Sequence, residues 1–409
     1  MSYVSHLEGA IDGARLPART LQTSHEGRPI LVRYDLDAVA RAVSRDDLAA
    51  RPPTMWRYHE LLPPEDGADI VTLHETITPL IHCPRLGARL GIDRLIIKDE
   101  SRLPTGSFKS RGMAMAVTMA KQLGVTRLAV PTAGNAGGAL AAYAARAGLE
   151  CFVFMPDDTP VVNRYEAALH GARTFLVNGL ITDCAAIIRA GADRFGWFDM
   201  STLREPYRLE GKKTMGLELA EQLDWALPDH ILYPTGGGTG LIGMWKAFDE
   251  LAALGWIDPD RKPRMHACQS TGCAPIPAAF DAGERFAAPP AHPHTIASGL
   301  RVPKAVGDFL ILDAVRQSGG SAVAADEARL VEWMRLACEL EGIALCPESG
   351  ACVGALADLV GRGVIEPHET TVIFNTGAAQ KYVEVIKTDL PRLDHHRPDW
   401  DLIERPIRA

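Results

Sequence analysis

The strongest constraint on the fold is a repeated alternation of short apolar runs with Ala-rich stretches. Each run ends in a turn of Gly or polar residues, and the stretch that follows is typical of a helix. Such runs occupy residues 95–98, 128–131, 151–155, 231–233 and 371–374. Strands that alternate with helices pair in parallel, and ligands of open parallel sheets bind at the carboxyl ends of the strands. The sequence therefore predicts an α/β fold whose Gly-rich turns share one edge.

Composition excludes several classes of function. The 409 residues are 47% hydrophobic, which is sufficient for two packed domains. The formal net charge of −8 is spread along the chain, so we expect no nucleic-acid partner. No run approaches the roughly 18 to 20 apolar residues that a membrane-spanning helix requires. Residues 1–15 have the character of neither a signal nor a transit peptide, so we expect a cytoplasmic protein without a membrane partner.

One lysine lies where a predicted strand gives way to a helix. In residues 98–111 (KDESRLPTGSFKSR), the strand passes through a Pro-Thr-Gly turn into a helix whose first turn contains Lys109. Burial and the positive end of a helix both disfavour the ammonium form. A neutral amine is what Schiff-base chemistry requires. This stretch alone leaves a solvated helix lysine as the alternative.

Two further turns have the composition of a ligand site. Residues 234–243 (PTGGGTGLIG) lie between a strand and a helix, so that consecutive backbone N–H groups can point at one phosphate. This pattern is neither a Walker loop nor a dinucleotide fingerprint. In residues 131–138 (PTAGNAGG), small side chains leave room for a planar ligand, and Asn135 offers a hydrogen-bond donor. The sequence therefore predicts a phosphate-bearing cofactor of another kind.

Taken in order, these stretches resemble the fold-type-II pyridoxal-phosphate enzymes, and above all the threonine-synthase branch, over about residues 70–390. Residues 104–111 resemble the family signature PTGSFKDR, with Lys109 at the cofactor lysine and Ser110 where Asp is usual. The resemblance implies a fold like that of the tryptophan synthase β-subunit, with two open parallel-sheet domains. Pyridoxal 5'-phosphate would lie between them, joined to Lys109 as a Schiff base, and Lys109 would be the catalytic residue.

The resemblance also implies the contacts of the cofactor. Asn135 falls on the residue that binds the ring oxygen, and Gly236–Gly240 fall on the phosphate loop. Thr376, in residues 374–382 (FNTGAAQKY), falls on the hydroxyl residue that faces the pyridine nitrogen, although a turn-capping role stays open. A hydroxyl makes the ring a weaker electron sink than a carboxylate would, which elimination and replacement chemistry tolerates. The implied cofactor-binding residues are Lys109, Asn135, Gly236, Gly237, Gly238, Thr239, Gly240 and Thr376.

The substrate side is expected at Thr132 and Arg208. Residues 206–214 (PYRLEGKKT) resemble the stretch whose arginine, here Arg208, helps to bind a substrate phosphate in threonine synthases. Glu205 stands where Asn is common, and a carboxylate repels phosphate unless a neighbouring cation neutralises it. The neutralising candidates are Arg204, Arg208 and Lys212. Arg301 and Lys304 are further basic candidates, although solvated surface charges have the same appearance.

The resemblance implies a lyase that converts O-phosphohomoserine and water into threonine and phosphate. We therefore expect a phosphorylated amino acid as substrate and a homodimer as the assembly. A paralogue stays open, with β-elimination or β-replacement on another amino acid, such as a threonine or serine dehydratase or a cysteate synthase. A catalytically silent protein that binds the vitamer also stays open.

The N-terminal part, residues 1–69, is expected to be a separate appendage. Residues 21–35 (LQTSHEGRPILVRYD) resemble the zinc ribbon of the family, with Thr23 and Glu26 in place of cysteines, so we expect no metal. The Pro-rich residues 275–293 predict a surface loop. The expected domains are the N-terminal appendage (1–69), a large cofactor domain (70–113 and 212–390), a small substrate domain (114–211) and a C-terminal tail (391–409).

Overall fold

Three sheets organise the chain, and the computed structural model describes residues 2–65, 69–388 and 390–404. The N-terminal sheet is antiparallel, in the order β2-β1-β3, and packs into the main core through side chains such as Leu7 and Val32. Asp66 and Gly67, at the end of the predicted N-terminal appendage, lie outside the described residues. The N-terminal elements are β1 (Val4–Gly9), β2 (Arg15–Leu16), β3 (Ile30–Tyr34), α1 (Leu36–Ala42) and α2 (Arg45–Ala49).

The chain then begins the predicted large domain and crosses into the predicted small one, and these two names are kept below for those parts of the chain. The first elements of the large domain are β4 (Leu80–His82), α3 (Pro84–Leu90), β5 (Arg94–Asp99) and α4 (Lys109–Gln122). Those of the small domain are β6 (Arg127–Pro131), α5 (Asn135–Ala147), β7 (Glu150–Pro156), α6 (Val161–Leu169), β8 (Arg173–Val177), α7 (Ile181–Phe195) and β9 (Phe198–Asp199). Its four strands form a parallel sheet in the order β8-β7-β6-β9.

The chain returns to complete a six-stranded sheet in the large domain. Its order is β12-β11-β10-β13-β5-β4, parallel except for β4, which pairs antiparallel with β5 at the edge. The remaining elements are α8 (Tyr207–Gln222), β10 (His230–Pro234), α9 (Thr239–Ala253), β11 (Arg264–Ser270), α10 (Pro275–Asp281), α11 (Asp308–Gln317), β12 (Ala322–Ala325), α12 (Leu330–Glu341), α13 (Pro347–Gly361), β13 (Thr370–Asn375), α14 (Val383–Ile386) and α15 (Trp400–Glu404).

Both faces of the large sheet are covered. Ile231 and Tyr233 belong to the core on one face, whereas Leu232, between them, belongs to the core on the other. A strand buried on both faces has a continuous apolar sequence, which is the pattern seen in residues 231–233. The predicted α/β class is thereby confirmed.

One local expectation changes in the structure. The Pro-rich residues 275–293 are not all loop, because Pro275–Asp281 form α10, where Pro275 takes the first helical position, at which its missing N–H costs no hydrogen bond. The predicted domain boundaries after residues 113 and 211 fall inside α4 and α8, so these two helices span them. The division into domains remains a proposal. In the described part of the chain, no helix is long and apolar enough to cross a membrane.

Topology places the predicted site at one edge. Strands β10, β13 and β5 are neighbours in the large sheet. Because they are parallel, their carboxyl ends place the Gly-rich turn, Thr376 and the turn before Lys109 side by side.

Candidate active site

The turn before Lys109 is held by the turn that follows β13. Phe108 donates its N–H to Thr376 O at 3.1 Å, and Ala378 donates to Gly106 O at 2.8 Å. Thr105 has a positive φ of 58°, which is unfavourable for a residue with a branched side chain. These contacts fix the start of α4 at Lys109, against the residue predicted to face the cofactor ring.

The amine of Lys109 lies in an environment that favours its neutral form. Desolvation by the surrounding protein, reinforced by the positive charge of Arg208, lowers the pKa of Lys109 to about 7. Its Nζ lies 4.1 Å from the centroid of the Phe108 ring. A large fraction of the amine is therefore unprotonated near neutral pH and able to act as a nucleophile or base.

A second buried lysine supports this turn. The Nζ of Lys212 donates to Phe108 O and lies 4.3 Å from the centroid of the same ring. Burial and the nearby charge of Lys109 hold the pKa of Lys212 well below its usual range. The sequence suggested Lys212 as a neutralising partner for Glu205, whereas in the structure Lys212 contacts the backbone just before Lys109.

The Gly-rich turn after β10 has the properties of a phosphate cradle. Among the described residues, no acceptor is paired with the backbone N–H groups of residues 236–240, which open the 15-residue helix α9. A Cβ on Gly236 would collide with the carbonyl oxygen of Gly299, and Gly238 has a φ of +78°. Free N–H groups at the positive end of a helix bind phosphate.

A chain of hydrogen-bonded polar side chains runs from Asn135 to Glu348. Asn135 Nδ2 donates to Tyr382 Oη at 3.1 Å, and Tyr382 Oη donates to Glu348 Oε1 at 2.9 Å. Asn135 Oδ1 and Glu348 Oε2 are buried and have no hydrogen-bond partner within the described chain. Buried polar atoms without partners are costly, so this wall suits a ligand with polar groups on a ring.

Thr376 presents a hydroxyl that is nearly free. Its Oγ1 lies 3.6 Å from Cys346 Sγ, and sulfur is a weak hydrogen-bond partner. Its backbone N–H donates to Ser349 Oγ at 3.1 Å, which holds the turn in place. The hydroxyl therefore remains available for an acceptor such as a pyridine nitrogen.

Two adjoining cavities bring the predicted residues together. The smaller, of about 50 Å³, is lined by all eight residues predicted to bind the cofactor. The larger, of about 610 Å³, shares Lys109, Asn135 and Gly237 with it and includes Thr132 and Arg208. The predicted cofactor and substrate residues thus lie on either side of Lys109.

The carboxylate of Glu205 is directed at the start of α8, the helix that follows it. At the start of α8, its Oε2 accepts the backbone N–H groups of Tyr207 at 2.7 Å and of Arg208 at 3.0 Å, and its Oε1 accepts that of Arg208 at 3.2 Å. Burial raises the pKa of Glu205 to about 7, although the Arg208 charge opposes this. The guanidinium of Arg208 donates to Met200 O at 2.5 Å and is almost fully buried.

The remaining substrate-side candidates have different surroundings. The hydroxyl of Thr132 donates to Gly134 O at 2.9 Å, so it stabilises the turn before α5 while lining the larger cavity. Lys304 also lines that cavity. Arg301 instead pairs with Asp158 through two contacts of 2.6 Å and belongs to the lining of neither cavity.

Sequence reasoning missed several lining residues. Tyr382 lies within the C-terminal stretch that was recognised, and its only signal was an aromatic ring near Thr376. Glu348 and Arg28 reach the site from distant segments, and although Arg28 lies in the ribbon-like residues 21–35, no pattern marked either residue as part of this site.

The N-terminal region also contains a possible ligand cluster for a metal ion. Asp12, His25 and Glu26 each place one potential ligand atom within 4.8 Å of the others, and Asp12 and Glu26 are exposed. Asp12 Oδ2 and His25 Nε2 already contact each other at 3.0 Å. The absence of zinc stays a prediction, which metal analysis of the purified protein would check.

Comparison with known proteins gives consistent relatives. Residues 71–377 match the family described as pyridoxal-phosphate dependent enzyme. A threonine synthase of Methanocaldococcus jannaschii is 35% identical over 362 residues, covering 88% of this chain and 89% of the relative. Threonine synthases of Methanosarcina acetivorans, 36% identical over 85% and 84% of the two chains, and of Mycobacterium tuberculosis, 33% identical over 83% and 91%, also match.

Solved structures share the fold at lower identity. Maize serine racemase superposes with a TM-score of 0.64 and 21% identity, covering 74% of this chain and 88% of that one. Threonine deaminase isoform 2 of Solanum lycopersicum superposes with a TM-score of 0.62 and 19% identity, covering 83% and 96%. These similarities establish the architecture, and the residues of the site must distinguish the chemistry.

Proposed function

The chain belongs to the family of pyridoxal-phosphate-dependent enzymes, and from that premise we propose that it is a threonine synthase. The reaction would convert O-phosphohomoserine and water into threonine and phosphate. The observation that carries the proposal is the match to threonine synthases along more than four fifths of the chain. The basic lining of the larger cavity beside Lys109 supports an anionic substrate.

The residues present fit pyridoxal phosphate. The free N–H groups of residues 236–240 would hold its phosphate, the buried polar atoms of Asn135 and Glu348 suit its ring substituents, and Thr376 offers a hydroxyl to its nitrogen. When bound, pyridoxal phosphate supplies an electron sink for the charge left when a Cα proton departs.

The other steps fall to the side chains of the chain itself. Lys109, whose pKa is lowered to about 7, can take a proton from Cα and return protons at neighbouring carbons. Arg208 offers a planar fork of donors to the substrate phosphate within the same cavity. Arg208 is almost fully buried, which strengthens its interaction with an anion. The homodimer and the cytoplasmic location expected from the sequence remain predictions.

The direct test measures phosphate release from O-phosphohomoserine by the purified holoenzyme. L-threonine and L-serine serve as comparison substrates, with 2-oxoacid formation as the readout. Threonine formation equal to phosphate release supports the proposal. Efficient dehydration of threonine or serine without phosphate release would favour a dehydratase-like paralogue, and cofactor binding without any turnover would favour a silent vitamer-binding protein.

The role of Lys109 is tested by Lys109→Ala. We expect loss of turnover and loss of cofactor that borohydride fixes to the protein, because no amine remains to form the bond. Lys121→Ala is the matched control, since Lys121 lies on the same helix, contacts the exposed Asp69 and should leave turnover unchanged. Borohydride-fixed cofactor in Lys109→Ala would contradict the assignment.

A further inference from the structure

Basic residues from four segments of the chain line the outer region of the larger cavity. Besides Lys109 and Arg208, the lining includes Arg28, Arg189, Arg204 and Lys304. Arg28 comes from the N-terminal region, Arg189 from α7, and Lys304 from the segment before α11. The acidic lining residue, Asp308, directs its oxygens to the backbone N–H groups of Ala287 and Phe309 at 2.8 and 2.9 Å.

These four basic groups lack acidic partners. In the part of the chain that the structure describes, no carboxylate oxygen lies within 4.0 Å of Arg28, Arg189, Arg204 or Lys304. The neighbouring Arg301, by contrast, is fully paired with Asp158. In a protein with a net charge of −8, a group of unpaired cations in one concavity creates a local field that attracts anions.

Arg28 reaches the cavity by way of a tight hairpin. His25 and Arg28 exchange backbone hydrogen bonds of 3.0 and 2.8 Å, and Glu26 and Gly27 between them have positive φ values of 49° and 74°. Two consecutive residues with positive φ are typical of a type I′ turn, which Gly favours and Glu does not. The hairpin therefore keeps this turn at a conformational cost.

The hairpin is fixed against the rest of the molecule on two sides. Arg204 Nη1 donates to Gly27 O at 3.5 Å. The guanidinium of Arg28 lies 4.9 Å from the centroid of the Phe286 ring, in the segment after α10. The hairpin tip is thus part of the wall of the cavity.

We propose that Arg28, Arg189, Arg204 and Lys304 form an outer anion site that holds a phosphate group on its way to or from the part of the larger cavity beside Arg208. This inference rests on the proposed function, because the phosphate belongs either to O-phosphohomoserine or to the phosphate ion that is released. It also assigns a role to the N-terminal region, whose Arg28 becomes a substrate-specificity residue.

The test compares Arg28→Ala with the parent holoenzyme at several ionic strengths. We expect kcat/KM for O-phosphohomoserine to fall about threefold to tenfold at low salt, mainly through KM, because charge steers and holds the substrate. The difference should largely vanish at about 0.5 M salt, where exposed charges are screened. Arg28→Lys should retain most of the parent kcat/KM, because it keeps the charge. Arg41→Ala is the control, since it removes an exposed charge of the same region outside the cavity.

Inhibition by inorganic phosphate separates the two sources of the phosphate group. If the site holds the released ion, Arg28→Ala weakens inhibition by phosphate, whereas if it holds the substrate alone, only kcat/KM changes. Either result supports the outer anion site. If Arg28→Ala matches Arg41→Ala in both measurements, the inference is wrong while the proposed function stands.

Failure of the proposed function gives a different result. In that case the parent enzyme releases no phosphate from O-phosphohomoserine, and calorimetric titration of the holoenzyme with inorganic phosphate becomes the readout. Phosphate binding that Arg28→Ala weakens and Arg41→Ala does not would retain the outer anion site. Equal binding by both variants would reject it.

Discussion

Arg111 ties the helix that begins with Lys109 to two other parts of the large domain. Its guanidinium contacts Glu100 at 2.7 Å and Glu218, on α8, at 2.8 Å. Lys98 on β5 contacts the same Glu218 at 2.5 Å, and all four side chains are fully buried. A buried network of this kind fixes geometry, because any member left alone is an unpaired charge.

Replacing Arg111 should therefore be strongly destabilising. We expect Arg111→Ala to lower the free energy of unfolding by about 3 to 5 kcal/mol, since Glu100 and Glu218 lose their shared partner. Urea unfolding measures the change. Arg102→Ala is the control, because Arg102 is exposed and pairs with Asp99, and it should cost less than about 1 kcal/mol. Equal losses in the two variants would contradict the role of the buried network.

Glu205 permits a second prediction for a single residue. Both of its oxygens accept backbone N–H groups at the start of α8, and Glu205 lines neither cavity, so we expect its charge not to face a phosphate there. Asparagine can also accept a hydrogen bond at a helix start. We expect Glu205→Asn to change kcat/KM for O-phosphohomoserine by less than about threefold, a free-energy change under about 1 kcal/mol.

The parent enzyme provides the reference for this measurement. A slow parent that Glu205→Asn accelerates at least tenfold would mean that the carboxylate does exclude phosphorylated substrates, and would favour the paralogue.

The sequence could locate Lys109, Asn135 and Thr376 because each lies in a short motif at the end of a strand. Their partners were harder to predict. Asn135 and Tyr382 are 247 positions apart, and their hydrogen bond forms because the segments that follow β6 and β13, strands of two different sheets, come together. Long-range contacts of this kind leave no periodic trace in the sequence.

Histidines join the amino-terminal ends of three neighbouring strands in the large sheet. His266 Nδ1 accepts the N–H of Ser321 at 3.1 Å, so its Nε2 carries the proton that it donates to His230 Nδ1 at 2.9 Å. His230 then donates from Nε2 to Glu369 Oε2 at 2.9 Å. The arrangement requires both rings to be neutral, with Arg264 and Asp229 as the neighbouring charges.

Acid should weaken this part of the sheet. Burial lowers the pKa of His266 to about 3 and also lowers that of His230, from the ordinary value of 6.5. The unfolded chain therefore binds protons first, and stability falls as the pH drops below about 6.5, by about 2 kcal/mol at pH 5 for His266 alone. We expect the apparent urea midpoint of His266→Gln to change less between pH 7 and pH 5 than that of the parent protein.

The absolute stability of His266→Gln is not the readout, because the substitution also breaks hydrogen bonds. The slope with pH is compared with that of His82→Gln, which removes an exposed histidine. Identical slopes in the parent and both variants would exclude the buried pair as the source of acid sensitivity.

Elements were predictable where local pattern and burial agree. The apolar runs at residues 128–131 and 151–155 lie within β6 and β7, and a helix follows each of them, as expected. The sequence predicts a loop where α10 forms, because a Pro-rich stretch is typical of a loop and also of the first turn of a helix. The spatial contacts that distinguish the two are not visible in the sequence. The antiparallel direction of β4 depends on where the chain enters the sheet, which no local signal reports.

At the scale of the molecule, one segment of the small domain is held to the large domain at three points. Asp158 pairs with Arg301, Val161 donates its backbone N–H to Glu384 Oε1 at 2.8 Å, and Glu166 pairs with Lys381 at 2.6 Å. All three contacts lie within residues 158–166. We expect these contacts to govern how closely the two predicted domains approach each other.

Lys381 is the contact that also reaches the catalytic turn. Its Nζ donates to Thr105 O at 2.9 Å as well as to Glu166, so it couples the small domain to the turn before Lys109. We expect Lys381→Met, which keeps the apolar stem, to lower kcat/KM by roughly tenfold, with kcat and KM both affected, as for residues that govern closure. Lys387→Met, at an exposed site, is the control.

Hydrogen exchange distinguishes loosened closure from a local defect at the turn. If Lys381 holds the domains together, backbone amides of residues 158–166 exchange faster in Lys381→Met than in Lys387→Met, because the ion pair to Glu166 is lost. Asp158→Asn should then produce a smaller change of the same kind, since its pair with Arg301 is partly exposed. Slower turnover with unchanged exchange would instead place the whole effect at Thr105, and unchanged turnover would show that closure does not depend on this lysine.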